Sequence, residues 1–219
     1  MDWQHLSCFE KLIIFGGTFD PIHNGHLAIA DILYKQLHAP VIFMPTGGII
    51  PYKTGTGTTD AARVAMLKLA LKPHSQFILD TSELECQQYS CSHTILRSIR
   101  TELGPQIPIY FFIGADSLIT LDTWDYWQEL FNLTNFIVAI RPGYSWNKMS
   151  PQLHHEFNLR KTLDLSTANI GCGKIYMLDS PTFDVSSTQI RRAIRNDQNI
   201  QGMVSSDVEQ YIRRHNLYQ

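Results

Sequence analysis

Leu12-Ile13-Ile14-Phe15-Gly16-Gly17-Thr18-Phe19-Asp20-Pro21-Ile22-His23-Asn24-Gly25-His26 is the stretch on which the fold turns. Leu12 to Phe15 is a continuous apolar run, suited to a strand buried on both faces, and Gly16-Gly17 ends it in a tight loop. From Asn24 to His38, apolar residues recur at Leu27, Ile29, Ala30, Ile32, Leu33 and Leu37, the spacing of one helix face. Val41 to Met44 is a second apolar run, closed by Pro45. A strand, a helix and a strand within so short a span form a βαβ unit, which requires a parallel pair joined by a right-handed crossover.

Outward from this unit the alternation continues. Thr46 to Thr59 is rich in Gly, Thr and Pro without periodicity, a loop of the length that compact domains reserve for function. Thr59-Asp60 caps a helix to about Leu71. Further strands are expected at Phe77 to Leu79, Ile107 to Ile113, Asn135 to Ile140 and Lys174 to Leu178. Helices are expected at Ser92 to Leu103, Trp124 to Phe131, Ser186 to Arg195 and Ser205 to His215, while Tyr144 to Gly173 reads as an insertion with some helix. The pattern implies an α/β protein with a Rossmann-like, doubly wound parallel sheet. Residues 1–219 read as a single domain, a core over about 11–185 followed by a C-terminal helical part over about 186–219. Ligands of such sheets bind beyond the carboxyl ends of the strands, which directs attention to loops 16–26, 45–58, 114–124, 141–144 and 179–191.

Composition narrows the classes. The 219 residues are 44% hydrophobic and 17% charged, which supplies a sizeable core and excludes a disordered chain. A formal charge of −2 gives no basic surplus for a nucleic-acid polymer or a membrane surface. Cys8, Cys86, Cys91 and Cys172 form no CxxC pair and read as reduced thiols, which with the lack of a leader-like N-terminus or a long apolar run suggests a cytoplasmic protein.

The first loop combines two glycines, which let backbone N–H groups approach a ligand, with a helix N-terminus that favours anions. That is a phosphate site, although neither GxGxxG nor GxxxxGK[ST] is present. His23 and His26 lie three apart at the helix start and can both donate to phosphate oxygens. They can equally be capping or core histidines; a zinc site lacks its remaining ligands. Near the other end, Val185-Ser186-Ser187-Thr188-Gln189-Ile190-Arg191 also opens a helix, and its hydroxyls can serve either as caps or, with Arg191, as anion ligands.

GGTFDPIHNGH resembles the signature of the nucleotidylyltransferase superfamily with its HxGH element, and SSTQIR resembles that superfamily's second motif. The resemblance implies that His23, His26 and Arg191 are catalytic, stabilising charge at the α-phosphorus of ATP. It implies an ATP site from Gly16, Gly17, Thr18, Phe19, Gly114, Asp116, Ser187, Thr188 and Arg191. Mg²⁺ would be carried on the ATP phosphates, with no protein metal site. Gly114-Ala115-Asp116-Ser117-Leu118, Thr123-Trp124 and Arg141-Pro142-Gly143-Tyr144 are similar to bacterial nicotinate-nucleotide adenylyltransferases, as is Arg63 with Met66, Leu67, Leu69 and Ala70. That similarity implies the substrates ATP and nicotinate mononucleotide. It assigns Thr46, Lys53, Trp124 and Arg141 to the acceptor, and leaves a homo-oligomer open.

The chain departs from that pattern at Ile50-Pro51-Tyr52, where the family has Pro-Pro-His, and at Tyr89-Ser90-Cys91, where it has Ser-Tyr-Thr. Asp125, if it points inward, favours an amide over a carboxylate acceptor. Alternatives are an enzyme using nicotinamide mononucleotide or phosphopantetheine, a transferase joining CTP to choline or glycerol phosphate, and a non-catalytic nucleotide sensor. The sensor reading predicts a missing phosphate ligand, yet His23, His26, Ser187, Thr188 and Arg191 are all present.

Overall fold

A computed structural model describes residues 3–47, 58–85, 92–140, 146–164, 171–179 and 183–219. A short 3-10 segment, Trp3–Cys8, precedes β1 (Leu12–Gly17), α1 (Asn24–Leu37) and β2 (Val41–Pro45). Then come α2 (Asp60–Leu71), β3 (Phe77–Leu79), the single turn α3 (Ser82–Glu85), α4 (Ser92–Leu103) and β4 (Ile109–Ile113). They are followed by α5 (Ala115–Leu118), α6 (Trp127–Leu133), β5 (Asn135–Ile140), α7 (Pro151–Arg160) and β6 (Lys161–Thr162). β7 (Ile175–Asp179), α8 (Ser187–Arg195) and α9 (Ser206–Arg214) complete the chain.

The strands form one seven-stranded sheet in the order β3-β2-β1-β4-β5-β7-β6. Every pairing is parallel, as the βαβ reading requires. The sheet is covered on both faces, and the strand pleat sorts side chains between them. Ile13, Phe15, Val41 and Phe43 join Leu33 of α1, Leu67 of α2, Ile190 of α8 and Val208 of α9 in one core. Leu12, Ile14, Ile42 and Met44 join Leu96 of α4, Leu130 of α6 and Leu153 of α7 in the other.

Chain direction around the sheet reverses between β1 and β4. The loops after these two neighbours part to opposite faces, which opens a crevice at their carboxyl ends.

Local chemistry explains where the elements differ from expectation. β4 starts at Ile109 rather than Ile107, because Pro108 has no N–H to give a ladder; its carbonyl still accepts the Leu12 N–H at 3.0 Å. The helix expected from Trp124 begins at Trp127, since Tyr126 adopts a left-handed conformation (φ 54°) after a 3-10 turn over Leu121–Thr123. The strand expected from Lys174 is Ile175–Asp179. β6, two residues at the sheet edge, lies inside the region read as an insertion, as does α7. α7 is set by Ser150 at its N-cap, accepting from the Leu153 N–H, with Pro151 in its first turn. Cys8 and Cys172 are free and exposed; Cys86 and Cys91 lie outside the described residues. Among the described residues no helix is long and apolar enough to cross a membrane.

Candidate active site at the β1–β4 crevice

The first site element is a pair of histidines that cap one another. His23 is the N-cap of α1, and its Nδ1 accepts the His26 N–H at 3.3 Å. His26 Nδ1 in turn accepts the His23 N–H at 3.2 Å, and the rings stack with centroids 3.6 Å apart. The capping reading and the ligand reading are therefore compatible. With Nδ1 committed as an acceptor, the neutral ring carries its proton on Nε2, leaving that edge as a donor for an anion. His26 also meets Phe15 and Phe19 edge-on. Burial, with the adjacent His23, holds its pKa well below the ordinary histidine value, so the ring works as a neutral donor. Gly25 is sterically required between them: a Cβ there would lie 2.9 Å from Val185 Cγ1 and 3.1 Å from His23 Nδ1.

The loop carrying these histidines is braced by the C-terminal helices. Ser187 Oγ donates to the Pro21 carbonyl at 2.9 Å, and Arg191 Nη1 donates to the Asp20 carbonyl at 2.6 Å. Asn24 donates through its backbone N–H to Met203 O at 2.9 Å and through Nδ2 to Gly202 O at 2.8 Å. Tyr218 Oη donates to the buried Asp20 carboxylate at 2.5 Å. Burial and this bond to Asp20 push the Tyr218 hydroxyl far above the usual phenol pKa, so it stays a donor.

Two cavities flank the crevice. One, of about 450 Å³, is lined by His23, His26, Ile140, Phe183, Val185 and Ser187. The other, of about 400 Å³, is lined by Thr18, Thr46, Gly47, Glu83, Trp124 and Asp125. Gly16, Gly114 and Asp116 border both, so the cavities adjoin at the ends of β1 and β4. Gly114, not Asp116, is the N-cap of α5, which leaves the exposed Asp116 carboxylate in the first turn, free of a capping role.

The sequence-predicted residues divide accordingly. Gly16, Gly17, Thr18, Gly114, Asp116 and Ser187 border one or both cavities, as do His23, His26, Thr46 and Trp124. Phe19 turns its ring into the core against Phe15 and Phe43. Thr188 and Arg191 line neither cavity; Arg191 reaches Thr188 Oγ1 at 3.4 Å while bracing Asp20. Trp124 does two jobs, walling a cavity and packing edge-on to Phe111. Asp125 does line the cavity. Lys53, Arg141, Tyr52 and Tyr89-Ser90-Cys91 lie outside the described residues.

Two further residues that hold these loops escaped the sequence reading, as did Tyr218. Arg63, noted only for its helix, is buried and joins both loops: Nη1 donates to Thr18 O at 2.7 Å and Nη2 to Thr46 O at 2.9 Å, with Asp60 balancing its charge at 2.6 Å. Glu83 of α3 accepts the Gly47 N–H at 3.1 Å. One of two Glu residues in a short polar stretch carries no signal of this.

Among the described residues, no three His, Cys, Asp or Glu side chains gather as a metal site. A family model described as cytidylyltransferase-like matches residues 14–193. A protein of Chromobacterium violaceum described as a probable nicotinate-nucleotide adenylyltransferase is 34% identical over 206 residues, covering 94% of this chain and 97% of that one. A protein of Xylella fastidiosa with the same description is 34% identical over 212 residues, covering 94% and 95%. The solved Plasmodium falciparum nicotinic acid mononucleotide adenylyltransferase complexed with NaAD superposes with a TM-score of 0.71 at 18% identity, covering 96% of this chain and 98% of that chain; at that identity the likeness speaks for the fold.

Proposed function

The chain belongs to the cytidylyltransferase-like family, and from that premise we propose that it transfers AMP from ATP to nicotinate mononucleotide, forming nicotinate adenine dinucleotide and pyrophosphate in NAD biosynthesis. The observation that carries this reading is the shared border of the two cavities at Gly16, Gly114 and Asp116. ATP occupies the side with His23, His26 and Ser187; the acceptor occupies the side with Thr46 and Trp124. Their phosphates then meet at the glycine border, where backbone can approach both.

The chemistry needs no protein nucleophile. A phosphate monoester has a second pKa of about 6 and is already ionised at neutral pH. Its oxygen attacks the α-phosphorus of ATP, the bond to the bridging oxygen breaks, and pyrophosphate departs. The protein aligns two anions and offsets their repulsion. His23 and His26 supply Nε2–H donors, the N-terminus of α8 supplies free N–H groups and a favourable dipole, and Asp116 accepts from ribose hydroxyls. Arg191 contributes positive charge while holding the loop; Lys53 and Arg141, outside the described residues, are assigned to the acceptor by the family resemblance alone. Mg²⁺, carried with ATP rather than held by a protein ligand cluster, would supply countercharge for the pyrophosphate. Residues 1–219 act as one catalytic unit, with the helical part after 186 serving the signature loop.

Pyrophosphate release from Mg-ATP with nicotinate mononucleotide, nicotinamide mononucleotide or phosphopantetheine tests the assignment. Preference for the nicotinate compound is expected. Preference for the amide would reassign the acceptor and implicate Asp125, and no release with any of the three would refute catalysis.

A further inference from the structure

Glu83 is the charged group most at odds with an anionic acceptor. It lines the proposed acceptor cavity together with Thr46, Gly47 and Trp124. Its carboxyl is fixed by the Gly47 N–H at 3.1 Å, and the backbones of α3 and Gly47 are pressed so close that a Cβ on Gly47 would collide with the Glu83 carbonyl. Moving the carboxyl away would break that hydrogen bond at the start of the long loop.

We propose that Glu83 is an acceptor-binding residue of this cavity, where its carboxyl takes up a proton as an anionic acceptor enters. This rests on the acceptor assignment above. The proton comes from solvent and goes to the carboxyl oxygen that the Gly47 N–H does not hold. The group is thereby converted from a repelling anion into an O–H donor toward an acceptor oxygen.

The surroundings poise it for this exchange. Burial pushes the Glu83 carboxyl up to about 7. The Gly47 hydrogen bond and Arg63 of α2 oppose the shift, and Asp80 after β3 assists it. Asp116 and Asp125 line the same cavity and add negative potential. Near neutrality the group is thus close to half ionised, and a further anion beside it favours the protonated form. The anionic oxygen can belong to the acceptor's phosphate or to its ring carboxylate.

Calorimetric titration of the protein with nicotinate mononucleotide at pH 8, beside a non-hydrolysable ATP analogue and in buffers of different ionisation enthalpy, counts the protons exchanged. The wild type should take up about one proton per acceptor bound. Glu83→Gln, which retains the oxygen facing Gly47, should lose that uptake and should flatten the rise in acceptor KM between pH 7 and 9. Uptake with nicotinamide mononucleotide as well identifies the phosphate as the partner; uptake with the nicotinate compound alone identifies the ring carboxylate. Equal proton counts in wild type and Glu83→Gln, or no uptake by a wild type that binds acceptor, overturn the proposal. A folded wild type that binds neither acceptor overturns the acceptor assignment as well.

Discussion

His23 and His26 hold each other's backbone N–H through Nδ1, so each ring is oriented by the other and neither can be removed without loosening its neighbour. His26→Ala should therefore lower kcat by about 10²–10³-fold, the effect of losing a preorganised donor at a site of developing charge, while changing the KM for ATP far less. The lost cap bond should cost about 1 kcal/mol, a fall in Tm of about 2–4 °C. Steady-state kinetics beside a thermal melt separate the two effects; near-normal kcat would remove His26 from the mechanism.

Tyr218→Phe deletes only the hydroxyl that holds Asp20. A buried carboxylate deprived of one partner costs about 1–3 kcal/mol, so a reduced Tm is expected. The substituted residue touches neither cavity, but the loop it braces carries His23. kcat should fall while the acceptor KM stays nearly constant. A melt that shifts with kcat unchanged would restrict Tyr218 to stability.

Trp124→Ala should raise the acceptor KM at least tenfold and leave the KM for ATP nearly unchanged, because Trp124 lines only the cavity without the histidines. Its edge contact with Phe111 predicts a lower Tm as well. Kinetics with each substrate varied in turn provide the check, and an unchanged acceptor KM returns Trp124 to a packing role.

Glu83 should also leave a mark on stability. Its carboxyl titrates at about 7 in the folded protein against an ordinary 4.5. The unfolded chain therefore gives up this proton first. The stability contribution is complete below pH 4.5 and is lost as pH rises through 7. Across that window the wild type should lose up to about 3 kcal/mol relative to Glu83→Gln, with no further divergence above pH 8. Paired denaturant titrations at several pH values measure it, and parallel curves would contradict it.

What could be read from the chain beforehand follows from how each part is encoded. The elements proposed to handle phosphate are local: glycines ending β1, histidines opening α1 and hydroxyls opening α8 all stand next to the turn they serve. The parallel sheet was legible for a similar reason, since uninterrupted apolar runs such as Ile109–Ile113 bury both faces. Arg63, Glu83 and Tyr218 were not legible as site residues, because their roles exist only through partners distant in sequence: Thr18, Gly47 and Asp20. The start of α6 depended on a left-handed tyrosine, a conformation that side-chain periodicity does not report. α7 was legible only as some helix within an insertion, because Tyr144 to Gly173 has no clear periodicity; the structure places its cap at Ser150.

The crevice lies on the seam between β1 and β4, and Gly16 and Gly114 come from parts of the chain nearly half its length apart. A seam of this kind closes only after a large loss of chain entropy, and contacts of such long sequence separation form late in folding. The crevice is therefore expected to be completed only when the chain's two halves dock. A partly folded molecule can hold most of its helices and still have nowhere to bind ATP, so recovery of activity during refolding should trail recovery of secondary structure.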